Sequence, residues 1–137
     1  MTLAADGRRL RITRDVESSV TDLGGIEEVN AVPRGGADTL RIGDLSRTPV
    51  SLVHANMAAG GSTGDGAPDT IEVTGTPRAD SIAVSGVGRA VDASGLSALV
   101  ELTLLDPFDR LALLTGGGND SVDSSGLPPG IVELIVV

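Results

Sequence analysis

The sequence predicts an all-β fold, a right-handed parallel β-helix with three sides and coils of about 30 residues, forming a single domain over residues 1–137. Three observations predict it. Pairs of aliphatic residues alternate at i and i+2, which puts both on one face of a strand. Gly, Pro and Asp bound each pair, which is turn chemistry. A short motif, usually a small residue, then Asp, any residue and two aliphatics one position apart, returns along the chain.

The first copy is a relic, Arg8-Arg9-Leu10-Arg11-Ile12, with Arg8 in the Asp slot. The stretch Val20–Val32 is ambiguous in periodicity. Ala37-Asp38-Thr39-Leu40-Arg41-Ile42 is the first full copy, 30 residues after Arg8. The run Ala59–Pro68 reads as the longest loop. Pro68-Asp69-Thr70-Ile71-Glu72-Val73 follows Asp38 by 31, and Ala79-Asp80-Ser81-Ile82-Ala83-Val84 comes 11 later. Phe108-Asp109-Arg110-Leu111-Ala112-Leu113 lies 29 beyond Asp80, and Asn119-Asp120-Ser121-Val122 another 11 on. A second pattern, Asp92-Ala93-Ser94-Gly95-Leu96, returns 31 residues later as Asp123-Ser124-Ser125-Gly126-Leu127, and Val100-Glu101-Leu102 returns 32 later as Val132-Glu133-Leu134. Three strand-and-turn steps of about ten residues per coil would place these copies one above another, about 4.8 Å apart. The competing architecture is an antiparallel β-sandwich with chance similarities.

Composition agrees with a narrow aliphatic interior. The chain has no Cys, Trp or Tyr, one Phe and one His, but 19 Gly and 7 Pro. Its net charge of −9 argues against nucleic acid, which needs a basic footprint. No run approaches the ~20 apolar residues of a membrane-spanning helix. Met1–Leu10 lacks the apolar segment of a signal peptide, so none is expected.

Several passages together resemble the region that precedes the calcium-binding nonapeptide array of bacterial haemolysin-type (RTX) repeat proteins. They are Arg9–Val16, Gly35–Leu40 with Gly43-Asp44-Leu45, Gly64–Thr76, and Asp109-Arg110-Leu111 with Gly116–Leu127. The resemblance implies a secreted or cell-surface protein exported without an N-terminal signal, with acidic repeats that bind calcium. In that pattern an array would be expected beyond Val137. The best nonapeptide match is Thr115–Asp123, where Gly116, Gly118, Asp120 and Val122 occupy the expected slots and Thr115 replaces the first glycine. Gly116, Gly118 and Asp120 are therefore the candidate calcium turn. Glycines allow carbonyls to converge and the Asp adds a carboxylate, but calcium takes six to eight oxygens and one turn supplies too few. Asp38, Asp69, Asp80, Asp109 and Asp120 equally suit acceptance of backbone N–H bonds in turns.

No catalytic set is expected. Parallel β-helices also host polysaccharide lyases and hydrolases, but this chain lacks Lys and the aromatic platforms that such sugar sites use. A carbohydrate-active β-helix and an adhesin segment are the alternative functions. His54 has no second histidine with which to share a metal and reads as a loop or strand-surface residue. All ten bases are Arg, with Arg8, Arg9, Arg11 and Arg14 clustered on the solvent face or against an acidic neighbouring copy. Ile131–Val137 is a β-prone apolar segment whose open edge invites self-association. The expected function is a non-catalytic structural or binding module, with calcium as ligand and self-association or surface glycans as partners.

Overall fold

The computed structural model describes residues 1–15, 19–58 and 60–137. Val16, inside the first resembling passage, and Ala59, first residue of the expected long loop, lie outside the described residues. The chain is all-β. Its first sheet has seven strands in the order β13-β11-β7-β5-β1-β2-β3. These are β1 (Thr2–Asp6), β2 (Arg9–Arg14), β3 (Ser19–Leu23), β5 (Thr39–Ile42), β7 (Thr70–Thr74), β11 (Arg110–Leu114) and β13 (Glu133–Val136). The second sheet has six strands in the order β12-β8-β9-β10-β6-β4. Its members are β4 (Glu28–Ala31), β6 (Leu52–Asn56), β8 (Ser81–Val87), β9 (Ala90–Ser94), β10 (Leu99–Thr103) and β12 (Ser121–Gly126).

Alternation decides which residues meet between the sheets. In β7, Ile71 and Val73 are buried while Thr70, Glu72 and Thr74 are partly exposed. Register then stacks like on like. Leu40, Ile71, Leu111 and Leu134 form one row across the first sheet, and Ile42, Val73, Leu113 and Val136 form the next. Val29, Val53, Val100, Ala93 and Val84 make the corresponding row in the second sheet. Burying each large aliphatic side chain contributes about 1.5–3 kcal/mol, so these rows dominate cohesion without aromatic bulk. The ambiguous segment Val20–Val32 resolves into β3 and β4 with a turn between them.

The three-sided parallel β-helix with coils of about 30 residues does not form. The strands lie in two mixed sheets, parallel and antiparallel, in a sandwich-like arrangement around a shared core. Two antiparallel excursions are the physical reason. β1, β2 and β3 form one meander, and β8, β9 and β10 form another. The first places Leu10 opposite Ala5 and Leu23, so the relic at Arg8–Ile12 is no layer below Asp38, and Leu3 of β1 instead pairs with Ile42. The second breaks the constant period. Asp69 is followed in the next layer by Asp109, and Asp80 by Asp120, each 40 residues on, whereas Asp38 and Asp69 are 31 apart. Asp80 and Asp109 are not stacked on each other. Asp92 and Asp123 are separated by β8, whose Ser85 faces Asp92 and whose Ala83 faces Asp123. Val100 lies in the second sheet, while Val132 leads into β13 of the first.

Both excursions begin with a two-residue turn having glycine first. Gly7-Arg8 joins β1 to β2 and Gly88-Arg89 joins β8 to β9. Gly7 (φ 58°) and Gly88 (φ 64°) take the left-handed geometry that the first position of a type II′ hairpin turn requires. Gly95, which follows β9, is held by two constraints at once. Its φ is +80°, and a side chain there would collide with the carbonyl oxygen of Ser81.

Gly95→Ala is therefore expected to cost at least about 3 kcal/mol, combining backbone strain with displacement of a strand. Gly88→Ala, with open space around it, should cost only about 1–2 kcal/mol. Denaturant unfolding of the two variants checks the difference. Equal losses would contradict the close packing at Gly95.

Candidate functional site

The motif aspartates occupy the corners where the chain crosses between sheets. Asp38, Asp69 and Asp109 immediately precede β5, β7 and β11, and Asp80 and Asp120 precede β8 and β12. Each carboxylate but the first in its row accepts a backbone N–H from the layer before. Asp69 Oδ1 accepts from Asp38 N at 2.8 Å, Asp109 Oδ1 from Asp69 N at 2.9 Å, and Asp120 Oδ1 from Asp80 N at 2.9 Å. The backbone returns the contact. Thr70 N donates to Asp38 O, Arg110 N to Asp69 O and Ser121 N to Asp80 O, all at 2.9 Å. The corners thus carry two bonded columns where the strand ladders have ended, one through Asp38, Asp69 and Asp109 and a second through Asp80 and Asp120.

Neighbouring acids extend this arrangement. Asp109 Oδ2 accepts from Asp106 N at 2.7 Å, and Asp106 Oδ2 from Gly66 N at 2.9 Å. Asp65 uses both oxygens, for Gly36 N and Ala67 N, each at 2.8 Å. Arg89 forms an ion pair with Asp106 and also donates to Leu105 O at 2.7 Å. The glycine-rich approach to these corners is needed for the close fit, since a side chain on Gly64 would strike the Asp106 carboxylate.

Burial sets the electrostatics. Asp69 is 3% exposed and Asp109 1%. Burial pushes the Asp69 carboxyl up to about 6 from 3.8, partly opposed by the hydrogen bond from Asp38 N and reinforced by the charge of Asp109. Burial likewise raises Asp109 and Asp38. Asp38 heads its row of motif aspartates, and its Oδ2 is shielded from solvent without a hydrogen-bond partner among the described residues. By contrast, the hydrogen bond from Arg11 holds exposed Asp22 below the usual carboxylate value.

The candidate calcium turn belongs to the second column. A side chain on Gly118 would lie 2.5–2.6 Å from the Arg78–Ala79 backbone, and one on Gly116 2.9 Å from Thr76 O. These glycines let the 115–120 corner lie directly on the 75–80 corner. Asp120 bonds Asp80 N, while the Asp80 carboxylate accepts from Thr76 N at 2.6 Å and Thr76 Oγ1 at 2.9 Å. Among the described residues no group of three or more His, Cys, Asp or Glu is arranged to hold a metal ion. His54 is on the strand surface, its ring between Asn30 Oδ1 and Thr103 Oγ1, both at 3.2 Å. The roles of Asp65 and Asp106 were not legible from the repeated motif, because both lie outside it.

A cleft of about 660 Å³ reaches Asp38 but is not lined by Asp69 or Asp109. The two most buried carboxyls are thus occupied with backbone N–H groups and face no cavity of that cleft. Among the described residues no helix is long and apolar enough to cross a membrane. Comparison with protein-family models, curated proteins and solved structures finds no match to the chain.

The column dictates a pH response. A carboxyl whose pKa is higher folded than unfolded favours folding while protonated. For Asp69 that contribution is complete below about 3.8 and lost as pH rises through about 6, and the difference is worth about 3 kcal/mol at most. Melting temperature should rise as pH is lowered from about 7.5 to about 5. Asp69→Asn, which keeps an acceptor without the charge, should flatten that slope and stabilise the chain at neutral pH. A wild-type melting temperature that falls over the same interval would contradict this.

Proposed function

We propose that this chain is a non-catalytic structural or binding module of a secreted or cell-surface protein, and that its acidic corners respond to calcium. The observation that carries the reading is the use of the motif aspartates. Asp69, Asp109 and Asp120 are engaged with backbone N–H groups of adjacent layers, which supports a role for them in cohesion. A carboxylate doing general acid or base chemistry must reach a substrate proton at hydrogen-bond distance. The resemblance of the corner motifs to haemolysin-type repeats supports calcium as the ion and export as the setting. The charge of −9 supports the same reading, because close-set acids repel one another and a divalent cation relieves that repulsion.

Calcium at about 10 mM, with affinity on the order of 1 mM, should stabilise the fold by about 1.4 kcal/mol and raise the melting temperature by about 4 °C. Magnesium at equal ionic strength is the control. Asp120→Asn should reduce the calcium effect if the 115–120 corner takes the ion. Identical melting curves with and without calcium would remove the ion from the reading, and release of product from any glycan would overturn its non-catalytic part.

A second reading, self-association, is favoured by the edge of the first sheet. β13 pairs on one side only, with β11, and Val136 and Val137 are 49% and 70% exposed. Such an edge is a template for another strand. Sedimentation over a hundredfold concentration range should show reversible growth in mass that Val136→Lys suppresses. A constant monomer mass would dismiss it.

A further inference from the structure

The arginines are unevenly placed. Residues 1–49 hold seven Arg against eight acids, whereas residues 50–137 hold three against eleven. Arg11, Arg41, Arg89 and Arg110 form ion pairs. Among the described residues Arg8, Arg9 and Arg47 form none, and these three line a single cleft of about 540 Å³. The cleft lies between the Gly7-Arg8 turn, the Gly24-Gly25 turn after β3 and the connection from β5 to β6. Among the described residues no carboxylate lines it, although the chain as a whole is strongly acidic.

Three exposed arginines line this one hollow, among the described residues only Arg9 has a carboxylate, Asp22, near enough to feel its charge, and their combined positive charge favours an anion there. One of them is held in place. Arg9 Nη2 donates to Asp22 O at 3.0 Å, and its Nη1 passes over Gly24, 3.5 Å from where a side chain would begin. This anchoring leaves other donors of Arg9 uncommitted. Ser46 adds a hydroxyl to the same lining. Guanidinium forks match two oxygens of a tetrahedral oxyanion in one plane, and several forks can share one such group.

We propose that this cleft is an oxyanion site that takes a phosphate or sulfate group, held by Arg8, Arg9 and Arg47. Its volume exceeds that of the bare ion and leaves room for the organic part of an ester. The inference is separate from the calcium reading, because it concerns the opposite charge and a different part of the surface.

The test is a titration of the full chain, followed by amide chemical shifts, with inorganic phosphate and in a second arm inorganic sulfate, at constant ionic strength in chloride. Saturable shifts are expected at Gly24, Gly25, Ser46 and Arg47, with half-saturation on the order of 1 mM. Arg8→Gln and Arg47→Gln should each weaken binding at least about fivefold. Arg78→Gln, at an exposed turn outside the cleft, should leave it unchanged. Saturation by either anion supports the site, and the tighter of the two identifies the group. Shifts that stay linear to about 50 mM in both arms, or equal weakening by Arg78→Gln, would overturn it.

Discussion

The hydrogen bond from a corner backbone N–H to the aspartate of the next layer is the interaction on which this structure depends. Strand ladders satisfy backbone groups along the flat parts of both sheets, but the ladders stop where the chain crosses between them. Buried N–H groups left there would each cost about 1–3 kcal/mol. Asp69 and Asp109 meet that need from within the protein, in positions almost closed to water. The benefit has a cost of its own, since a buried carboxylate is poorly solvated and Asp69 sits beside another. The column is therefore bonded well and charged unfavourably, and that conflict makes the fold sensitive to protons and, in the proposed function, to cations.

The same constraint explains the glycine content at these corners. Layers can exchange N–H and carboxylate contacts only if their backbones come close. Gly75 shows how little room there is, for a side chain on it would meet Thr115 O at 2.5 Å and Asp80 Oδ2 at 2.8 Å. The glycines that flank the repeated motif and the aspartate within it thus have linked roles. The first permits the approach and the second uses it.

Much of this was legible in the sequence, and the illegible part has a definite cause. Leu40/Ile42, Ile71/Val73, Ile82/Val84 and Leu111/Leu113 announced strands and inward faces correctly, because a period of two admits one burial pattern. Asp38 and Asp69 announced adjacent layers, and the two 11-residue spacings each mark the corners at the two ends of one first-sheet strand, β7 and β11. Spacing alone could not tell a layer from an excursion. Gly7-Arg8 and Gly88-Arg89 carry hairpin chemistry between alternating strands, and giving them full weight would have disclosed the antiparallel meanders. The interval from Asp80 to Asp109 is close to the apparent period, yet it joins corners of different columns. Composition likewise hid the grouping of Arg47 with Arg8 and Arg9, which only the fold brings together.

The central claim is that motif aspartates hold the layers together through backbone amides, and native-state hydrogen exchange reads those amides directly. The account predicts that the amide protons of Asp38, Asp69 and Asp80 exchange as slowly as those inside β7 and β11, although all three lie outside strands. Exchange at the rate of an open loop would show that the carboxylates do not hold them, and would contradict the account.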